Sequence, residues 1–139
     1  KGVVNGGGIM FRGRAAGKLS RYADAHDWKK FTTCPYEDLK DPSRLHVDAY
    51  GNLQICQGIC MGNIWEHPLE ELVRDYSPSG HPICGPLLEG GPAQLARELG
   101  YTPPSTGVAD ACHLCYLARK SCREKFPGVL EPAQVYCDD

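Results

Sequence analysis

Apolar and polar residues alternate most regularly between positions 45 and 56. Leu45, Val47 and Ala49 precede Gly51-Asn52, and Leu53 and Ile55 follow it. This period-2 pattern across a glycine-containing turn predicts a β-hairpin of two half-buried strands, the second ending on Cys56. The small residues from 56 to 63 read as a loop. Helical spacing appears four times. It predicts a short helix over 15–25, one over 68–76 with Pro68 in its first turn and Glu70 and Glu71 early, one over 92–99 stopped by Gly100, and one over 111–126 ended by Pro127-Gly128. Residues 27–44, 77–92 and 101–107 read as loops, and the tail as irregular. The predicted class is α+β: a small hairpin and several short helices, rich in loops, arranged around a cysteine-rich site.

The length of 139 residues suits one domain that buries about two thirds of its unfolded surface. It divides into a linker and short helix at 1–30, a cysteine-rich region at 31–126 and a tail at 127–139. Fifteen basic residues stand against 17 acidic ones, and no basic run occurs, so nucleic acid is not an expected partner. No stretch is apolar enough to span a membrane and none resembles a secretory leader, which points to the cytoplasm. Because the chain opens at Lys1, it reads as a fragment or processed form. Gly6-Gly7-Gly8 lacks the Gly-Lys-Ser/Thr ending of a P-loop and the spacing of a dinucleotide fingerprint, and reads as a flexible connection.

Eight cysteines change the picture most. In a reducing compartment, clustered cysteines mean metal binding or redox chemistry more often than disulfides. Cys112 and Cys115 open a helix, so their sulfurs lie on one face a turn apart, as chelation requires. A thioredoxin-like dithiol would use the same pair, but no βαβ pattern precedes it. Cys34 is followed by Pro35, which holds the cysteine extended in a segment free to wrap an inorganic centre. Cys122 lies roughly 10 Å along the helix axis from Cys115, too far to share a mononuclear site, and reads as a core cysteine.

The expected ligands are Cys34, Cys56, Cys112 and Cys115. Four thiolates suit a [4Fe–4S] cluster or a tetrahedral Zn²⁺ ion equally by ligand type. Zinc ribbons usually supply two CxxC knuckles, whereas here a pair meets two isolated cysteines, an asymmetry that favours the cluster. Cys60, Cys84 and His81 are spare candidates. Cys56 and Cys60 form a CxxxC, but Asn63 stands where a third cysteine would complete the CxxxCxxC triad of a radical S-adenosylmethionine cluster.

The run Gly13-Arg14-Ala15, then Cys34, then Gly51-Asn52-Leu53-Gln54-Ile55-Cys56, then Cys112-x-x-Cys115, resembles the SPASM and twitch auxiliary-cluster domains that follow the barrel of radical S-adenosylmethionine enzymes. The resemblance covers about residues 13–126. A full SPASM pattern continues with two more closely spaced cysteines; here Ser121 stands where the next should fall and Cys122 comes one residue late. The closer likeness is to a twitch domain with one cluster. It implies a [4Fe–4S] cluster on Cys34 and Cys56 from the hairpin side and Cys112 and Cys115 from the helix, with Zn²⁺ as the alternative. It further implies a preceding radical S-adenosylmethionine barrel of the same protein as partner, a peptide or protein substrate, and a role in electron transfer or substrate placement without catalysis by this region alone. A structural zinc interaction module with four cysteine ligands and a CxxC dithiol oxidoreductase are the other expectations.

The remaining polar and aromatic residues carry less. His113 points away from the paired cysteines, His46 is expected in solvent, and Trp28 and Trp65 read as core or interface residues. Arg12 and Arg14 read as solvated, with an acidic substrate or a preceding barrel as alternative contacts. No Ser/His/Asp or paired-carboxylate arrangement marks a hydrolase.

Overall fold

The computed structural model describes residues 8–136. Gly6, Gly7 and Cys137 lie outside them. The α+β class holds: a three-stranded antiparallel sheet, β1 (His46–Val47), β2 (Asn52–Cys56) and β3 (Ile59–Asn63), stands with four described α-helices. These are α1 (Gly13–Lys18), α2 (Leu69–Arg74), α3 (Cys84–Glu98) and α4 (Ala111–Ser121), joined by single 3-10 turns and loops.

The hairpin forms, but it gains a strand and shifts its turn. Asp48 caps the first reversal by accepting hydrogen bonds from the Tyr50 and Asn52 amides at 2.8 and 3.1 Å, the local side-chain capping that favours aspartate in turns. Asn52 is therefore the first residue of β2, paired with Asn63, and the reversal spans 48–51. The segment 56–63, expected to be a loop, is instead a second tight turn at Gln57-Gly58 followed by β3. That addition makes β2 the central strand, flanked by β1 and β3. Both of its faces are covered, so Leu53, Gln54, Ile55 and Cys56 are all buried, in place of the half-buried alternation the sequence predicts. Gln54, 4% exposed, satisfies its side chain by accepting from the Gly58 amide at 2.8 Å, as a buried amide must. Val47 and His46 on the edge strand stay exposed.

The second correction is α3. Its first half lies in 77–92, where Gly and Pro predict a loop. Pro86 sits in the first turn, where a missing N–H is tolerated, and Gly90-Gly91 break the helical dihedrals, so that Pro92 opens a new helical segment and no backbone hydrogen bond is lost to it. The break serves a close approach: at Gly91, with φ +65°, an added Cβ would stand 2.3 Å from the Thr32 carbonyl carbon. The Ala93 amide also donates to the Phe31 carbonyl at 2.9 Å. The kink thus seats the chain immediately before Cys34.

Helix α4 ends at Ser121, short of the predicted 126, and a 3-10 turn (Arg123–Lys125) follows. The α3–α4 contact buries Ala96, Val108, Leu114 and Ala118. A larger core joins Ile55, Ile59, Leu87, Leu95 and Tyr116 to four cysteines, Cys56, Cys84, Cys115 and Cys122. Each large apolar side chain buried there contributes about 1.5–3 kcal/mol. The tail is not loose: Leu130 and Tyr136 enter this core, and the Tyr136 ring stacks on Tyr116 with centroids 5.8 Å apart.

Replacing Gly91 with alanine places a side chain in backbone and in a left-handed conformation at once. Gly91→Ala is expected to lower the unfolding free energy by about 2–4 kcal/mol in a denaturant titration. Gly100→Ala, also at positive φ but with nothing within 4 Å of its Cβ, should cost about 1 kcal/mol.

Candidate metal centre

Five segments meet at one small cavity. Its wall carries Cys34, Cys56, Cys112 and Cys115 together with two guanidinium groups, Arg12 and Arg119. The rest is apolar: Pro35, Leu39, Ile59, Leu87, Pro92 and Ala111. The cavity measures about 20 Å³, room for roughly one water molecule.

Each cysteine reaches it by a different device. Cys112 and Cys115 stand in the first turns of α4, whose start is fixed by Asp110 accepting from the His113 amide at 2.7 Å. Cys56 ends central strand β2, held between the two turns. Cys34 lies in irregular chain and is the only one of the four that is not buried. Its loop is anchored on either side. Before it, Phe31 and Thr32 rest on the α3 kink; after it, Leu39 is buried and its carbonyl accepts from the Tyr76 hydroxyl at 2.7 Å. Glu37 adds bonds to Arg44 at 3.1 Å and to His46 at 3.3 Å, tying the loop to the edge of the sheet. The two charged partners keep the Glu37 carboxylate below its ordinary range despite partial burial. Beyond Cys34 lies an open groove of about 450 Å³ lined by 32–39 and by Leu87 and Leu88. Cys34 therefore forms the partition between groove and cavity.

The spare candidates stand elsewhere. Cys60 is buried with its thiol donating to the Gly62 carbonyl at 3.3 Å, and with His81 it lines a separate groove beside α2. His81 Nδ1 accepts from the Ile83 and Cys84 amides, both at 3.1 Å, which commits that nitrogen to capping α3. Cys84 is fully buried at the start of α3 and does not line the cavity. Cys122 is a core cysteine, its thiol donating to the Ala118 carbonyl at 3.4 Å. His113 is buried, and its Nδ1 accepts from the Ala109 amide at 3.0 Å. Trp28 packs against the smaller core under the Arg97 guanidinium, whereas Trp65 is 71% exposed.

The two arginines are what the spacing of the cysteines leaves out. Arg12, expected in solvent, is part-buried, and its Nη2 donates to the Cys112 sulfur at 3.6 Å. Arg119 is 1% exposed. Its guanidinium donates to the carbonyls of Cys115 and Gln57 at 3.3 and 2.9 Å and to the Tyr136 hydroxyl at 3.0 Å. A helical signal for it existed, since Arg119 follows Cys115 by four and Cys112 by seven positions and so shares their face. Nothing near Arg12 in sequence marks its place.

Two of the four thiols are held in the neutral form. Burial pushes both Cys112 and Cys115 up to about 11, against the pull of Arg12 and Arg119 respectively. Burial also takes Cys84 to about 11. Among the described residues all cysteines are free thiols, and no group of three or more His, Cys, Asp or Glu side chains already stands in an arrangement that holds a metal ion. The donor chemistry nevertheless suits one: four cysteines line one small cavity with two guanidinium groups beside them. Comparison with models of protein families, with curated proteins and with solved structures finds no match to this chain.

The raised thiols set a pH dependence. Cysteine in an unfolded chain ionises near 8.5, so keeping these groups neutral stabilises the fold fully below that pH, and the contribution is lost as pH rises through about 11. The metal-free protein should lose about 3 kcal/mol per such thiol across this window, read from denaturant midpoints. The slope should be shallower in Cys84→Ala than in the unaltered chain.

Proposed function

We propose that this chain is an auxiliary [4Fe–4S]-binding domain of a radical S-adenosylmethionine enzyme, holding its cluster through Cys34, Cys56, Cys112 and Cys115. The observation that supports it most is the convergence of those four cysteines, from three separate parts of the chain, on a single cavity that no other described cysteine lines. Bound there, such a cluster supplies one-electron transfer at a potential set by burial and by hydrogen bonds to its sulfurs. The chain's own residues do the rest. Cys112 and Cys115 present two sulfurs from one helix face, Cys56 a third from a rigid strand, and Cys34 closes the set from a loop with open space behind it. Leu39, Ile59 and Leu87 exclude water from the sulfurs. No catalytic group is assigned within the chain; the radical chemistry belongs to a barrel domain of the same protein, acting on a peptide or protein substrate in the cytoplasm.

One observation favours a second reading. A cavity of about 20 Å³ is closer in size to a single ion than to a cluster, as a structural Zn²⁺ site with four thiolate ligands would need. A cluster needs more room, and the Cys34 loop is the wall that has space to yield.

Anaerobic reconstitution with iron and sulfide, followed by metal and sulfide analysis, separates the readings. About four iron per chain with broad violet absorption is the expected result. One colourless zinc per chain would favour the second reading, and a metal-free protein with a reversible Cys112/Cys115 disulfide would leave a dithiol oxidoreductase. Cys34→Ala, Cys56→Ala, Cys112→Ala and Cys115→Ala should each lower bound metal by at least half, while Cys60→Ala, Cys84→Ala and Cys122→Ala keep it. Unchanged metal in the first four sinks the ligand assignment.

A further inference from the structure

Arg119 presents a physical problem. A guanidinium removed from water costs several kcal/mol unless an anion compensates it, and arginine stays charged at any ordinary pH. The three partners of Arg119 are two carbonyls and a hydroxyl, all neutral. Arg12, part-buried and far from the Cys112–Cys115 pair in sequence, meets a thiol. Among the described residues, the ion pairs that Arg44, His46, Arg74 and Arg123 make with Glu37, Asp75 and Glu131 leave both cavity arginines aside. Both line the cavity with the four cysteines. Two positive charges thus face a small, largely apolar cavity in which, among the described residues, the groups able to become anions are the four cysteine thiols.

We propose that Arg12 and Arg119 are built-in counter-charges for a metal centre ligated by four thiolates, and that they set its affinity and its potential. This inference rests on the metal-binding reading above. Four thiolates around a doubly positive centre, whether Zn²⁺ or an oxidised [4Fe–4S] core, leave two negative charges; the two guanidiniums return the assembly to neutrality. Arg12 adds a hydrogen bond to the Cys112 sulfur, which strengthens once that sulfur is a thiolate. The burial of Arg119 among neutral acceptors then makes sense: its partner is the charge that arrives with the metal. Both arginines are positioning residues that act on the centre through its sulfurs. Because added electrons make a cluster more negative, nearby positive charge favours the reduced form, and removing either arginine lowers the reduction potential.

The experiment uses the full chain loaded separately with Zn²⁺ and with the reconstituted cluster, and compares Arg12→Gln, Arg12→Lys, Arg119→Lys and Arg119→Met with the exposed control Arg14→Gln. Competition with a chromophoric chelator should show Zn²⁺ affinity about 10- to 100-fold weaker in Arg12→Gln and Arg119→Met, restored to within a few fold by Arg12→Lys and Arg119→Lys and unaffected by Arg14→Gln. In a redox titration of the loaded cluster, Arg12→Gln should titrate at a lower potential at unchanged iron content. A thermodynamic cycle supplies a third readout: Arg119→Met should destabilise the metal-loaded protein more than the metal-free one, since its lost hydrogen bonds are common to both states and only the charge term differs. If Arg119→Met does not fold, Arg12→Gln alone decides through affinity and potential. Equal affinity and potential in Arg12→Gln and the unaltered chain overturn the inference while leaving metal binding intact; an unaltered chain that loads neither zinc nor cluster overturns the reading beneath it.

Discussion

The burial of Arg119 is the constraint on which the rest of the structure turns. One guanidinium reaches the Gln57 carbonyl at the β2–β3 turn, the Cys115 carbonyl in α4 and the Tyr136 hydroxyl in the tail, and Tyr136 in turn donates to the Gly58 carbonyl. Sheet, helix and C-terminal segment are therefore locked to each other at the back of the cavity. The locking group is also a charge, so the fold's central joint and the electrostatics of the cysteine site are the same feature. A neutral residue of similar size would keep the packing and lose the second property.

Around that joint the four cysteines are held with unequal firmness. Cys56 belongs to a strand buried on both faces, and Cys112 and Cys115 to a capped helix with Leu114 and Tyr116 in the core. Cys34 depends on contacts made by its neighbours: Gly91 beneath Thr32, the Tyr76 hydroxyl on Leu39, and Glu37 on Arg44 and His46. The last of these lies at the surface, where ion pairs contribute about 1 kcal/mol or less. The site is thus walled by regular structure around Cys56, Cys112 and Cys115 and by irregular chain at Cys34, the side that faces the open groove.

Local pattern determined what local chemistry controls. The alternation around 45–56 marks β1 and β2, the CxxC on helical spacing marks α4, and Pro68 with Glu70 and Glu71 marks α2; Cys34, Cys56, Cys112 and Cys115 all border one cavity. Tertiary packing decided the remainder. Ile59 to Asn63 becomes a strand because β2 offers it a free edge, and Gln54 is buried because that third strand exists. Cys84 to Glu89 is helical although it is rich in Gly and Pro, since burial of Ile83, Cys84 and Leu87 outweighs weak propensity. Arg12 stands 100 positions from the cysteine it touches; no short-range pattern encodes such a meeting. Sequence periodicity reports which face of an element is apolar, but only the assembled chain decides which charges that face encloses.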